Sequence, residues 1–219
     1  MERQKSVRRS SGPRLKAALA SAIDWWEKHG RNFPWRNTRD PFRILVAELL
    51  LQRSRSGSVR EVYIDLFERW PTPTDLKEAD TDSILAVIEP LGLQHRAVRI
   101  KKLASAWDDL DRVPTDVARL QELPGIGPYS AKATAVAMSW TAQPPVDSVS
   151  SRVMKRLLGD LSQGKDDDNV AISVYSHAPE ERWRDLNWAI LDIAAAVCMP
   201  KVPRCNNCPL SADCGWSNS

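Results

Sequence analysis

The sequence predicts an all-α protein built from two helical domains. Three observations carry that expectation: apolar residues recur with a period near 3.6, strand-like alternation is scarce, and caps or prolines mark the breaks between segments. Helices are expected at about Leu15–His29, Pro41–Arg53, Ser56–Trp70, Asp82–Leu91, His95–Leu110, Val117–Gln121, Tyr129–Ser139, Ser148–Leu158 and Glu180–Val197. Asp40 with Pro41 supplies an N-cap and a first-turn proline. Pro71 and Pro73 end the third helix, and Pro114 breaks the chain before the next. The stretch ELPGIGP, Glu122 to Pro128, is a tight turn between two helices. The acidic stretch Gln163–Asn169 reads as a solvated surface loop, and there is no internal repeat.

A length of 219 residues allows one large domain or two small, interleaved ones. A hydrophobic fraction of 42% with nine tryptophans supports a real core and argues against disorder. Trp25, Trp26, Trp35 and Trp188 are read as core residues. Net charge is +3, from 31 Lys+Arg against 28 Asp+Glu, so any basic face must come from arrangement rather than excess. No apolar run approaches the roughly 18 residues that span a bilayer, so no membrane partner is expected. Met1–Arg14 is basic and Ser-rich without the apolar segment of a secretory signal, and reads as a flexible arm. A monomeric, cytoplasmic protein is the expectation.

Cys198, Cys205, Cys208 and Cys214 are spaced C-x6-C-x2-C-x5-C directly after a helix. Four thiolates within 17 residues close on one centre at little entropic cost. In a cytosolic chain such crowding points to metal rather than disulfides. Zinc and an iron–sulfur cluster both accept four cysteines. Only Cys205 and Cys208 form a close pair, an asymmetry that favours a cluster over a zinc staple. Lys201 and Arg204, inside the first cysteine loop, offset the charge of a thiolate-bound centre and are placed to meet an anionic partner.

Gly125 and Gly127 permit a turn that exposes successive N–H groups at the start of the next helix. Such a turn suits a phosphate oxygen, because free amides and the helix dipole both favour an anion; it also fits an ordinary helix–helix connection. In ILVAELLL, Ile44 to Leu51, one carboxylate stands among apolar neighbours. If Glu48 is enclosed, desolvation raises its pKa and suits it to proton donation or water activation. The alternative places Glu48 at the outer edge of the helix, paired with Arg43 or Arg55. Asp147, ahead of Ser148–Arg152, is a good helix N-cap.

LPGIGPYSA (Leu123 to Ala131), the PVD that ends in Asp147 eighteen residues after Tyr129, and the four-cysteine tail together resemble the endonuclease III superfamily of helix-hairpin-helix (HhH-GPD) DNA glycosylases. The similarity runs from about Trp25 to Cys214. It implies a six-helix barrel over 37–141, with the helix-hairpin-helix at about 117–139. It also implies a cluster domain from 15–36 plus 142–219 that holds a [4Fe-4S] centre on the four cysteines, and a base-binding groove between the two domains. The implied partner is double-stranded DNA containing a mismatched or modified base, and with it the resemblance implies association with the nucleoid.

The resemblance assigns Asp147 as the catalytic carboxylate, since loss of a base leaves an oxocarbenium-like sugar that a fixed negative charge stabilises. It tips Glu48 towards catalysis, because adenine-DNA glycosylases and the mismatch thymine glycosylases carry a glutamate at the matching place. Lyase-competent members carry a lysine at position 129. Tyr129 cannot form a Schiff base, so base removal by water is expected without strand cleavage. Lys132, three residues on and close to the same helical face, is a candidate for weak lyase activity, but reads better as a surface or phosphate-contacting lysine. Extraction of a base leaves a gap that side chains fill; Gln52 and Arg53 match one such position, and Leu93, Gln94 and His95 match the second.

Two branches fit Glu48, Tyr129 and Asp147. Adenine-DNA glycosylases resemble HGRNFPWR (His29 to Arg36) and the GPY of the hairpin, but usually carry a further C-terminal domain, whereas this chain stops five residues past Cys214. Their LQQT is LQRS here (Leu51 to Ser54), their paired tyrosines after Gly-Leu are absent, and their DGN is Asp147, Ser148, Val149. Single-domain thymine/uracil mismatch glycosylases resemble the length and Arg53 better, though they too usually carry Asn where Val149 stands. The expected substrate is thymine or uracil opposite guanine. Adenine opposite 8-oxoguanine or guanine, and a modified pyrimidine, are the alternatives. An alternative of another class is a non-catalytic DNA-binding or redox-sensing iron–sulfur protein.

Overall fold

The computed structural model describes residues 11–92, 94–141 and 143–217, and among these every regular element is helical. In chain order they are α1 (Ser11–His29), α2 (Pro41–Leu51), α3 (Ser56–Arg69), α4 (Pro73–Glu78), α5 (Thr81–Ile88), α6 (His95–Asp108), α7 (Val117–Gln121), α8 (Pro128–Ala137), α9 (Ser148–Leu158), α10 (Asp167–Tyr175) and α11 (Trp183–Ala196). No helix among the described residues is long and apolar enough to cross a membrane. The chain divides into two compact units, one of Met1–Arg31 with Val146–Ser219 and one of Asn32–Pro145.

The Asn32–Pro145 unit is organised by α2, which packs against α3, α6 and α8. Its start follows the local chemistry: Pro41 stands in the first turn, and Asp40 Oδ1 accepts from Phe42 N at 2.9 Å and Arg43 N at 3.4 Å. Leu45, Val46, Leu49 and Leu50 face a core completed by Leu66, Leu76, Ile84, Ile88, Ile100 and Leu120. The sequence assigned 32–36 to the terminal domain; Phe33 and Trp35 belong instead to this core, stacked at 4.7 Å. Helix α4 was read as part of a proline break. Pro73 ends nothing there; it occupies the first turn of α4 behind a Thr72–Asp75 capping box, the position where a missing N–H costs least.

In the terminal unit α11 packs against α1 and α9, and α9 against α10. Asp192, nearly sealed on α11, accepts from Arg31 N and Nε at 2.7 Å and ties the end of α1 to α11. Helix α1 begins at Ser11, inside the stretch read as an arm; residues 1–10 of that arm lie outside the described residues. The loop expected over Gln163–Asn169 is half helix. Asp166 caps α10 by accepting from Asn169 N at 2.8 Å, Asp167 and Asp168 complement the helix dipole, and Val170, Ala171, Val174 and Tyr175 are buried. The stretch is exposed throughout, as expected, but its second half is a helix start rather than a loop.

Candidate active site

Within the Asn32–Pro145 unit, the end of α2, the start of α6 and the turn before α8 come together. Helix α2 stops at Leu51, so Gln52 and Arg53 stand in the turn beyond it rather than on the helix. Arg53 is exposed and left-handed, with φ of 57°. Gln52 Nε2 donates to Gly125 O at 3.2 Å, which links this turn to the glycine turn. Glu48 is half-buried on α2, not enclosed as one of the two expectations had it. Tyr129 and Lys132 are half-buried on α8. Gln94 and His95 are exposed at the start of α6; Leu93 lies outside the described residues.

The two turn glycines have different reasons to be there. Gly125 has φ of +82°, and a Cβ on it would come 2.9 Å from Leu49 Cδ2. Gly127 precedes α8 with φ of −90°, an ordinary value, and a Cβ there meets nothing within 4 Å among the described residues. Pro128 opens the helix, no side chain caps it, and its first turn holds no acidic residue. Among the described residues, the positive end of the dipole there meets no acidic side chain of its own first turn. Gly125→Ala should cost about 1–2 kcal/mol of stability through its left-handed backbone. Gly127→Ala should melt as the parent does but bind duplex DNA more weakly. Thermal melts and salt-dependent binding of the pair check both statements.

In the terminal unit, Asp147 caps α9. Its Oδ1 accepts from Val149 N at 3.0 Å, Ser150 N at 2.7 Å and Ser150 Oγ at 2.8 Å, while Ser150 Oγ accepts from Asp147 N at 2.9 Å. All of the cap's work falls on one oxygen. Oδ2 takes no hydrogen bond from the described residues, and Asp147 is only half-buried. Tyr175, sealed on α10, donates to Asn187 Oδ1 at 3.3 Å. Burial, and after it the Asp147 charge, pushes its phenol far above the usual range, so it stays protonated. The carboxylate is oriented by its own helix.

The four cysteines line one cavity, walled by Val153, Val197, Pro203 and Leu210. Burial pushes the Cys208 thiol up to about 11, against a backbone hydrogen bond from Leu210, with the charges of Cys198, Cys214 and Cys205 adding to the rise. Among the described residues, no three His, Cys, Asp or Glu side chains form a group that could hold a single metal ion. Arg156 on α9 donates to Cys198 Sγ at 3.4 Å, Met199 O at 2.8 Å and Pro200 O at 2.7 Å. Arg152, one turn earlier, donates to Cys198 O and Ala194 O. Helix α9 therefore carries Asp147 at its head and grips the cysteine loop along its side. Lys201 and Arg204 are exposed on that loop, which is closed by Arg204 N donating to Val197 O at 2.9 Å.

Sequence reasoning missed Arg96, Arg152 and Arg156. The two arginines of α9 had a visible signal, a basic i,i+4 pair on a helix whose other face is apolar. Arg96 had none, because its partners are 42 to 46 residues away in the chain.

An all-helical chain with a glycine turn ahead of a helix, a helix-capping aspartate and a four-cysteine tail defines a class of DNA-repair protein, and the comparisons agree. The sequence pattern of the HhH-GPD superfamily base excision DNA repair protein matches residues 46–173. The chain is 32% identical over 215 residues to a thymine-DNA glycosylase of Aeropyrum pernix, covering 94% of this chain and 96% of the relative. It is also 32% identical over 218 residues to an adenine DNA glycosylase of Mycobacterium tuberculosis, covering 95% of this chain and 70% of that one. Among solved structures, a thermostable thymine-DNA glycosylase superposes with a TM-score of 0.86 at 28% identity, over 96% of this chain and 99% of the other. An endonuclease III–DNA complex shares the fold, with a TM-score of 0.78 at 24% identity, over 96% of this chain and 97% of that one.

The chain belongs to the HhH-GPD superfamily of base excision DNA repair proteins, and it is a DNA glycosylase by descent.

Proposed function

We propose that this glycosylase hydrolyses the N-glycosidic bond of thymine or uracil opposite guanine and leaves the strand intact. The observation that carries the reading is the contrast between positions 129 and 147. A phenol stands where lyase-competent members carry a nucleophilic amine, while Asp147 keeps one carboxylate oxygen clear of its helix cap. A tyrosine makes no Schiff base, so water attacks C1′ and the base is released.

In this mechanism the base departs with the bonding electron pair, and positive charge develops on the sugar. Asp147 offsets that charge. Water adds to C1′ and loses a proton, and the departing base gains one; Glu48 is the group that handles this exchange. Tyr129 is assigned to the same reaction. Gly125, Gly127 and Lys132 hold phosphate, Gln52, Arg53, Gln94 and His95 occupy the gap left by the extruded base, and Lys201 with Arg204 adds phosphate contacts.

The four cysteines fit a [4Fe-4S] cluster better than zinc. One zinc would require every sulfur at about 2.3 Å from a single point, and no such group forms among the described residues; Cys198, Cys205, Cys208 and Cys214, which line one cavity, would instead hold the irons of a cluster through their thiolates. When bound it supplies a structural clamp at the end of α9.

Support for a pyrimidine substrate comes from relatives matched along nearly their whole length. A thymine/uracil-DNA glycosylase of Pyrobaculum aerophilum is 34% identical, covering 86% of this chain and 86% of the relative. The mycobacterial adenine relative keeps a second reading, adenine opposite 8-oxoguanine or guanine. Labelled duplexes with T:G, U:G, A:8-oxoguanine, A:G and modified cytosines, treated with alkali after incubation, decide between them. Breaks at T:G and U:G are expected; breaks at adenine alone overturn the substrate.

A further inference from the structure

We infer that Arg96 is a positioning residue: it clamps the end of α2 and so sets the backbone of the Gln52–Ser54 turn. Arg96 is 1% exposed and, among the described residues, meets no carboxylate. Nη1 donates to Leu50 O at 3.1 Å and Ser54 Oγ at 2.8 Å, and Nη2 donates to Gln52 O. Burial, then the nearby Arg99 charge, lowers its pKa.

A buried cation without an anion is costly unless something else stabilises it. Here the stabilising group is the C-terminus of α2. Its last carbonyls have no partner within the helix and carry the negative end of the dipole. Helix α2 has no C-terminal glycine; Gln52 follows it with φ of −54° and ψ of 112°. The guanidinium takes the place of a cap, and it bonds on both sides of Arg53.

That bracketing matters because Arg53 is a non-glycine residue at φ of 57°, a conformation costing about 1 kcal/mol or more. Something must hold it. Leu50, Gln52 and Ser54 are held directly by Arg96, and Gln52 carries the constraint on to Gly125 through its own side chain. Arg96 is itself the second residue of α6, next to His95 and two residues from Gln94. One buried side chain therefore fixes the turn after α2 to the turn before α6, the two segments assigned to the gap in the helix. A point charge on a lysine reaches one of the three acceptors; the planar fork reaches all three.

The inference rests on the proposed reading for its effect on base release, but not for the clamp itself. Two variants, Arg96→Lys and the milder Ser54→Ala, are compared with the parent in two experiments. Hydrogen exchange without DNA reads the clamp: amides at 52–54 should exchange faster in both variants, with α3 unchanged. Single-turnover base release from T:G duplex reads its use. Arg96→Lys should lose about 10- to 100-fold in rate, as sub-ångström misplacement does, with duplex Kd within about threefold because phosphate contacts dominate binding. Ser54→Ala should lose less, in the same direction. Unchanged exchange at 52–54 in both variants overturns the clamp. Faster exchange with a parental rate, or rate and binding falling together, overturns its role in positioning. If the parent releases no base from any duplex, the proposed function fails while the exchange result still decides the clamp. Should Arg96→Lys fail to fold, Ser54→Ala decides by the same outcomes.

Discussion

Asp147→Asn is expected to lower single-turnover base release about 10³-fold, the scale seen when one preorganised charge-stabilising group is removed. Duplex affinity should stay near that of the parent. The separation of the two effects follows from the cap. Asparagine keeps an oxygen to accept from Val149 N and Ser150 N, so α9 retains its start, while the charge facing the electron-poor sugar is gone. Asp147→Ala supplies the control. It removes both roles, and should lose about 1 kcal/mol of stability beyond the asparagine variant with no further loss of rate. Parental activity in Asp147→Asn would reduce the residue to a cap. Tight binding by a parent protein that releases no base would favour the non-catalytic reading.

Loss of the cysteine centre is the second large effect. On the proposed cluster, Cys208→Ser should yield protein without iron or brown colour, and lower Tm by about 10 °C or more for a loss of several kcal/mol. The reason is that the cysteine centre joins the tail to the loop after α11, beyond holds such as Arg14 to Asp213 at 2.9 Å and Arg156 over the Trp216 ring. Gly215 N donates to Leu157 O and Trp216 N to Arg156 O, which lays the tail along the end of α9. Gly215 also lies against Gly159, where a Cβ on Gly215 would stand 2.7 Å from the Gly159 Cα. That contact is backbone on backbone, so Gly215→Ala should displace the tail and lower iron content without touching a ligand. A colourless parent containing stoichiometric zinc would replace the cluster by a zinc staple. Metal analysis beside the absorption spectrum reads both.

The all-α class was legible because apolar period and caps agree, as at Asp40–Pro41 and at Asp147. Local chemistry of this kind is written within four residues. The two helices that escaped, α4 and α10, start with signals that serve loops equally well: a proline pair in one and an acidic run in the other. What turned them into helices was burial of Leu76 and of Val170, Val174 and Tyr175 against partners distant in sequence. The candidate site divides the same way. Gly125 and Asp147 declare themselves locally, by a left-handed turn and a cap. Glu48 shows only an acid in an apolar run, which does not fix how deeply it sits, and the structure leaves it half-buried. Arg96 reads as one more cation in LQHRAVRIKK until α6 is laid beside the end of α2.

The central claim is hydrolysis that spares the strand, and product analysis after a single turnover on T:G duplex tests it most directly. The account predicts free thymine, an abasic strand that breaks only on alkali treatment, and no protein–DNA adduct trapped by borohydride. Strand breaks without alkali, or a borohydride-trapped adduct, would contradict it, because they require a primary amine, such as Lys132, to attack C1′ in place of water.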